Sequence, residues 1–300
     1  MVARVKRAVK RRFLRWTRPS RELSRGDYGN LVDYHIHTKL CGHARGEPEE
    51  YVREAIRKGI AEIGFSDHMP FLRMRDERLT MAPGELGRYV EIVRDLQGSV
   101  DELTIRLGIE MDYFPGEMDE IWQAVEPYDL DYVYGSVHYI DGWGFGDSRR
   151  LSTYEGKDPD DIYTRYFDVF CEAVEVGGFD VMAHPDVVKK HGIRTSYPVE
   201  RFYERAADAL AAADVAIEIN TSGLRKTALE LYPSFPFLRV CVDRGVAVTL
   251  GSDAHSPEQV GMDFDLALRF LRKAGVGEIA TFSGRTRTMR RIFGDAEANA

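Results

Sequence analysis

Residues 32–43 read VDYHIHTKLCGH, and three of the chain's eight histidines fall within nine positions of this stretch. Its first half, VDYHIH, is a short β-rich apolar run and predicts a strand over 32–37. On a strand, His35 and His37 stand two residues apart, so both imidazoles point to the same face. Two neutral imidazoles side by side on an inward face pack poorly, because each carries a polar N–H that needs a partner. A shared cation removes that difficulty.

Six further runs of the same kind lie beyond this one: AEIGFSDH (61–68), LTIRLGIEMD (103–112), YVYGSVHYI (132–140), FDVMAHPD (179–186), VAIEINTS (215–222) and VAVTLGSDAH (246–255). Between them stand stretches with helical spacing of apolar residues. PEEYVREAIRKG stops at Gly59, as a helix C-terminus commonly does. APGELGRYVEIVRDL, DPDDIYTRYFDVFCEAVEVGG, PVERFYERAADALAAA and SPEQVGMDFDLALRFLRKAG read alike, the last with Pro257 placed for a helix entry. Strands alternating with helices imply parallel pairing, an α/β fold. Seven strands of near-continuous apolar character point to a closed barrel, whose active site forms at the carboxyl ends of the strands.

Those ends read HIH, SDH, GIE, SVH, AHPD, EINTS and GSDAH. Seven histidines lie at these ends or in the loops just after them: His35, His37, His43, His68, His138, His184 and His255. Only His191 lies outside the pattern, and it is expected to be exposed. Glu110 and Asp253 occupy matching places on two strand ends. In a barrel, these nine side chains converge on one mouth. Imidazole mixed with carboxylate suits Zn, Mn or Fe and argues against Ca or Mg as the sole occupants. Nine ligands exceed what one ion takes, and they fit two or three divalent ions with a carboxylate bridging.

Composition bounds the rest. The chain has 300 residues with 44% apolar content, enough for a sizeable core. No run of 18 apolar residues and no secretory h-region is present. Three cysteines far apart argue against a disulfide framework and fit a cytoplasmic location. The net charge of −8 hides an asymmetry: residues 1–25 hold ten Lys/Arg and one acid, which leaves about −17 on the remainder. An acidic body makes long nucleic acid an unfavourable partner. The basic stretch could touch an anionic membrane, but it reads more simply as a solvated extension. The expected organisation is therefore an extension over 1–28, partly disordered or helical, and one domain over 29–300.

HIH, His43, SDH, GIE, SVH, AHPD and GSDAH together resemble the PHP (polymerase and histidinol phosphatase) superfamily, from about residue 31 to about 285. SVHYIDGWGFGD, INTSGLRKTALELYPS and GSDAHSPEQVG look like its histidinol-phosphate phosphatase branch. The resemblance implies a distorted seven-stranded (β/α)7 barrel and a three-metal cluster. One metal takes His35, His37, Glu110 and Asp253; a second takes His43, His68 and His255; a third takes His138 and His184, with Glu110 bridging. It also implies a phosphomonoesterase acting on a small phosphorylated substrate, L-histidinol phosphate foremost. The alternative is a related phosphoesterase for a nucleotide, oligonucleotide or other sugar phosphate. A non-catalytic scaffold fits poorly, since no ligand is missing.

Asp253, His255 and Glu110 are the candidate catalytic groups. Arg225 and Lys226 in SGLRK, with Arg73 and Arg75 in FLRMRDERL, are the candidate phosphate holders, because guanidinium suits bidentate phosphate recognition. Cys41, between His37 and His43, could ligate but reads more simply as a small loop residue. Asp33, Asp67 and Asp186 read either as acceptors orienting imidazoles or as turn and cap residues. Tyr232 and Trp143 read as packing residues, with flanking the substrate as the alternative.

Overall fold

The computed structural model describes residues 28–73 and 78–293. Seven parallel strands form one sheet: β1 (Val32–Ile36), β2 (Glu62–Phe65), β3 (Thr104–Asp112), β4 (Tyr132–Ser136), β7 (Val181–Met182), β8 (Ala216–Asn220) and β9 (Val248–Gly251). The spatial order is the chain order, with every pairing parallel. Helices fill the crossovers: α1 (Pro48–Lys58), α2 (Leu86–Ser99), α3 (Met118–Val125), α4 (Pro159–Val176), α5 (Glu200–Ala213), α6 (Phe235–Asp243) and α7 (Phe264–Ala274). A small hairpin, β5 (Tyr139–Ile140) and β6 (Trp143–Gly144), follows β4.

The first and last strands meet only at their carboxyl ends. There His37 N–H donates to Ala254 O and Ala254 N–H to His35 O, both at 3.0 Å. Below this point Asp33 replaces the missing ladder. Its carboxylate accepts from Ser252 N–H and Gly261 N–H at 2.8 Å each, and from the Ser252 hydroxyl. The sheet is thus a nearly closed barrel, distorted where one carboxylate stands in for strand pairing. Tyr132 fills its interior: the hydroxyl donates to Tyr34 O at 2.7 Å, across β2 and β3. A Cβ at Gly64 or Gly108 would lie 2.1 or 2.3 Å from the Tyr132 side chain, so bare backbone on those strands is what admits the ring.

Helix termini follow their signals. Pro48 opens α1, Glu47 N–H donates to the Glu50 carboxylate, and Gly59 closes the helix at φ 79°. Pro159 opens α4 after Asp158 caps Asp160 N–H. The reading of SPEQVGMDFDLALRFLRKAG as one helix is corrected. Pro257–Gln259 is a single 3₁₀ turn, Gly261 and Asp263 take positive φ, and the helix starts at Phe264. Helices α3 and α6 were not foreseen.

Nor was the closure of the barrel's other end. β10 (Glu278–Ser283) and β11 (Thr286–Arg291) form an antiparallel hairpin against the strand beginnings. Phe282 packs on Tyr34 and Tyr132, with ring centroids 6.1 and 6.2 Å apart. Buried Glu62 accepts from the Tyr34 hydroxyl and pairs with Arg106 and Arg290. Arg285 reaches Asp180, and Arg287 reaches Asp214. No helix of the described residues is long and apolar enough to cross a membrane. The basic stretch 1–25 lies outside the described residues.

Candidate metal centre

Each barrel strand end delivers what its sequence spells, and the seven imidazoles meet. Passing from His184 to His35, His37, His255, His43, His68, His138 and back to His184, successive ring centroids lie 5.8, 5.0, 4.0, 4.6, 5.4, 5.7 and 4.7 Å apart. The rings form a closed circle. Glu110, fully buried on β3, reaches into it. Its Oε1 lies 2.9 Å from His184 Nε2, and its Oε2 lies 3.2 Å from His35 Nε2, 2.9 Å from His68 Nδ1 and 3.7 Å from His37 Nε2. Asp253 places Oδ1 at 3.4 Å from His37 Nε2 and 3.2 Å from His255 Nδ1. His184 and Asp253 carry positive φ, 29° and 52°, backbone strain that clusters at functional sites.

Hydrogen-bond bookkeeping shows what the circle lacks. His43 Nδ1 faces Cys41 O at 2.9 Å, and His255 Nδ1 faces Asp253 O at 3.1 Å. A carbonyl only accepts, so both Nδ1 atoms carry the proton and both Nε2 atoms carry a lone pair. Yet the two Nε2 atoms face each other at 2.9 Å. His37 Nε2 and His184 Nδ1 are buried without a hydrogen-bond partner. Burial and the neighbouring imidazoles push His43 down to about 3 and His255 to about 4, which keeps both neutral and able to ligate. Burial would raise the Glu110 carboxyl, but His68, His35 and His184 hold it well below the usual carboxylate range.

This donor set fits divalent metal. Ligand atoms bound to one tetrahedral ion at about 2.1 Å lie about 3.4 Å from each other, and the contacts around Glu110 and Asp253 run from 2.9 to 3.7 Å. Among the described residues, five overlapping groups bring their ligand atoms together closely enough to share an ion: His43–His68–His255, His35–Glu110–His184, His35–His37–Asp253, His37–His68–Glu110 and His37–Cys41–His255. His138 stands beside His184 with its Nδ1 on Asp112 at 3.0 Å.

The neighbours sort themselves by contact. Asp67 orients an imidazole, lying 3.3 Å from His37 Nδ1 while accepting from Thr38 and His68 N–H. Asp33 sews β1 to the loop after β9, and Asp186 pairs with Lys189 at 2.8 Å. Burial and the Asp67 carboxylate push the buried Cys41 thiol far up, which favours the protonated form, while its sulfur lies within reach of His37 and His255. Tyr232 is buried, and Trp143 donates to Thr153 on the neighbouring loop. His191 is half-buried rather than exposed, because Tyr154 packs against it at 5.8 Å.

Arg225 Nη2 donates to Ser252 O at 2.6 Å and Asp253 O at 3.2 Å, at the edge of the circle, while its buried Nη1 has no partner. Lys226 is exposed beside it. Arg73 is satisfied by Glu120 at 2.7 Å, with Glu117 nearby, and Arg75 lies outside the described residues. Against the circle opens a cleft of about 90 Å³ lined by His43, His68, Phe71, His138, Asp147 and Lys190, among others. Lys190 carries no signal in the sequence, where its neighbour His191 is expected to be exposed. Its ammonium donates to Gly146 O at 2.7 Å, and burial with Lys226 nearby lowers it to about 8. Glu218 was also missed: it sits inside the apolar run AIEIN, where a buried carboxylate in need of partners was the only signal.

Comparison with known proteins agrees with this architecture. The PHP domain profile matches residues 33–222. The chain is 37% identical over 256 residues to the probable histidinol-phosphatase of Deinococcus radiodurans, covering 85% of this chain and 97% of that protein. It is 30% identical to the probable histidinol-phosphatase of Schizosaccharomyces pombe, covering 82% and 87%. The crystal structure of histidinol phosphate phosphatase from Lactococcus lactis, complexed with zinc, L-histidinol and phosphate, superposes with a TM-score of 0.76 at 26% identity. That match covers 86% of this chain and 99% of that one. The profile runs through six of the seven barrel strands, and the Deinococcus relative is matched almost end to end, so this chain belongs to the PHP domain family.

Proposed function

We propose that the chain is a metal-dependent phosphomonoesterase that converts L-histidinol phosphate to L-histidinol and inorganic phosphate in the cytoplasm. The observation that carries this reading is the closed circle of seven imidazoles around Glu110, in which the His43 and His255 Nε2 atoms face each other and His37 Nε2 and His184 Nδ1 are buried without a partner. Zinc is the preferred occupant, with manganese or iron as substitutes, and the nine donors are apportioned to two or three ions. When bound, such cations supply Lewis acidity, acidifying an attacking water and drawing charge off the phosphoryl oxygens.

The chain's own groups do the rest. Arg225 offers Nη1 to a phosphoryl oxygen while its other nitrogen is anchored on the backbone beside Asp253. The Lys190 ammonium adds a second positive charge within the cleft. Asp253 stays ionised at the centre. The Ser222 hydroxyl occupies Oδ2 at 2.8 Å, and His35, His255 and His37 hold the buried carboxyl well below its usual range. Oδ1, next to His37 and His255, is therefore left as an ionised oxygen, able to ligate an ion or to accept a hydrogen bond from an attacking water. Phe71 and Tyr139 line the cleft and give the organic half of the substrate an aromatic wall. Residues 29–300 are the catalytic unit, and residues 1–28 are dispensable for phosphate release.

The test is metal analysis of the purified protein, followed by phosphate release from histidinol phosphate, p-nitrophenyl phosphate, a nucleotide and a short oligonucleotide, with and without residues 1–25. Preference for histidinol phosphate, retained without the extension, supports the proposal. Faster turnover of the oligonucleotide, lost with the extension, overturns it in favour of a polyanion hydrolase. Bound metal without turnover of any phosphomonoester overturns the enzymatic reading.

A further inference from the structure

We propose that Glu218 is a positioning residue of the metal centre, holding His35 and His184 in their ligating states from β8, the strand between β7 and β9. This role rests on the reading of the histidine circle as a metal centre.

Glu218 lies in the middle of β8 and is completely buried. Both of its oxygens are engaged. Oε1 lies 2.8 Å from His35 Nδ1, and Oε2 accepts from His184 N–H and from Asn220 Nδ2, each at 2.9 Å. The contacts tie β8 to a ligand on β1 and to one just after β7. Two N–H groups on Oε2 leave that oxygen no place for a proton, and Oε1 faces a ring nitrogen. The consistent assignment puts the proton on His35 Nδ1, donated to Glu218. His35 Nε2 then turns a lone pair toward Glu110, 3.2 Å away. The second action is on the backbone: His184 holds φ at 29°, and its N–H bond to Glu218 fixes that conformation. Carboxylates that accept from the far nitrogen of a ligating histidine set its tautomer and raise its basicity.

The surroundings are cut to this pair. A Cβ at Gly251 on β9 would lie 1.8 Å from Glu218 Oε1 and 2.6 Å from His35 Cβ, so only bare backbone fits there. The Tyr134 ring stacks on His35 at 4.9 Å. The imidazole is thereby fixed both in plane and in proton position.

The test is E218Q in the zinc-loaded protein. An amide keeps the shape, but in either orientation it sets an NH2 against a donor: His35 Nδ1–H in one, His184 N–H and Asn220 in the other. Zinc affinity, measured by chelator competition, is expected to fall about 10- to 100-fold for one class of site. The class held by His43, His68 and His255 should be unchanged. Equal stoichiometry and affinity in wild type and E218Q overturn the role while leaving the centre standing. A wild-type protein that binds no zinc overturns the centre and this role with it. Wild-type protein labelled with [15N]histidine gives a reading that does not depend on the variant folding: His35 is expected to show Nδ1 protonated and Nε2 shifted by the metal. A proton found on Nε2 overturns the proposal.

Discussion

His43 and His255 point unprotonated nitrogens at each other because each has spent its single proton on a backbone carbonyl. That arrangement is destabilising unless a cation stands between the two lone pairs, so the residues specify their ligand by what they leave unsatisfied. The same logic holds at His35, from which His35→Ala removes one donor shared by two ligand groups. Metal content and turnover are expected to fall together, by elemental analysis and phosphate assay. Full metal content with full turnover would remove His35 from the centre. Arg225 differs, because it touches backbone and not ligand atoms. Arg225→Ala is expected to raise KM for histidinol phosphate by about tenfold or more, the loss of one charged contact of about 1.5–3 kcal/mol, with metal content unchanged. Lys190 supplies a pH signature. Its ammonium is the binding form and its value is lowered to about 8, so charge is full below that pH and is lost as pH rises through it. KM is expected to climb above pH 8 in the wild type and to stay flat in Lys190→Gln.

At the scale of elements, the site was legible because its donors interrupt apolar strands at their ends, where nothing but chemistry calls for a histidine. HIH, SDH, SVH and GSDAH could be placed from their spelling. What stayed hidden are groups whose role depends on a neighbour far along the chain. Glu218 and Asp112 look like ordinary strand residues until His35 and His138 arrive beside them. The TRTMRR strand is too charged to resemble a strand, and two of its arginines find carboxylates far along the chain, Arg287 at Asp214 and Arg290 at Glu62. The final helix starts late because Gly261 and Asp263 adopt positive φ, and Gly261 N–H turns to Asp33. Asp33 is the element-scale joint, the substitute for a β1–β9 ladder. Asp33→Ala leaves several buried donors without an acceptor and is expected to cost on the order of 3 kcal/mol, roughly 6–12 °C in Tm by thermal unfolding. An unchanged Tm would show that the barrel closes without it.

Across the whole molecule, the two ends of the barrel divide the work. The hairpin end is held by aromatic packing and ion pairs that involve no metal ligand. The other end gathers like donors that repel protonation of one another, and it depends on cations for cohesion. Chelation is therefore expected to lower Tm, since an ion bound at 1,000 times its Kd contributes about 4 kcal/mol. The loss should grow with pH. Burial pushes His37 down, but Asp253 and Asp67 outweigh it and hold its proton up to about 9. An ion must displace that proton, so metal stabilisation is weakest in acid and increases as pH rises toward 9. Chelator that leaves Tm unchanged at pH 8 would exclude a cohesive role for metal.

The order of the donors around the circle also has a consequence in time. The circle starts at residue 35 and is completed only by residue 255, with the bond between His35 and Ala254 as its last seam. A chain emerging from the ribosome has no finished cage until the seventh barrel strand is out. A product terminated before His255 is expected neither to hoard scarce ions nor to cleave cellular phosphate esters, because it lacks the donor that completes the circle.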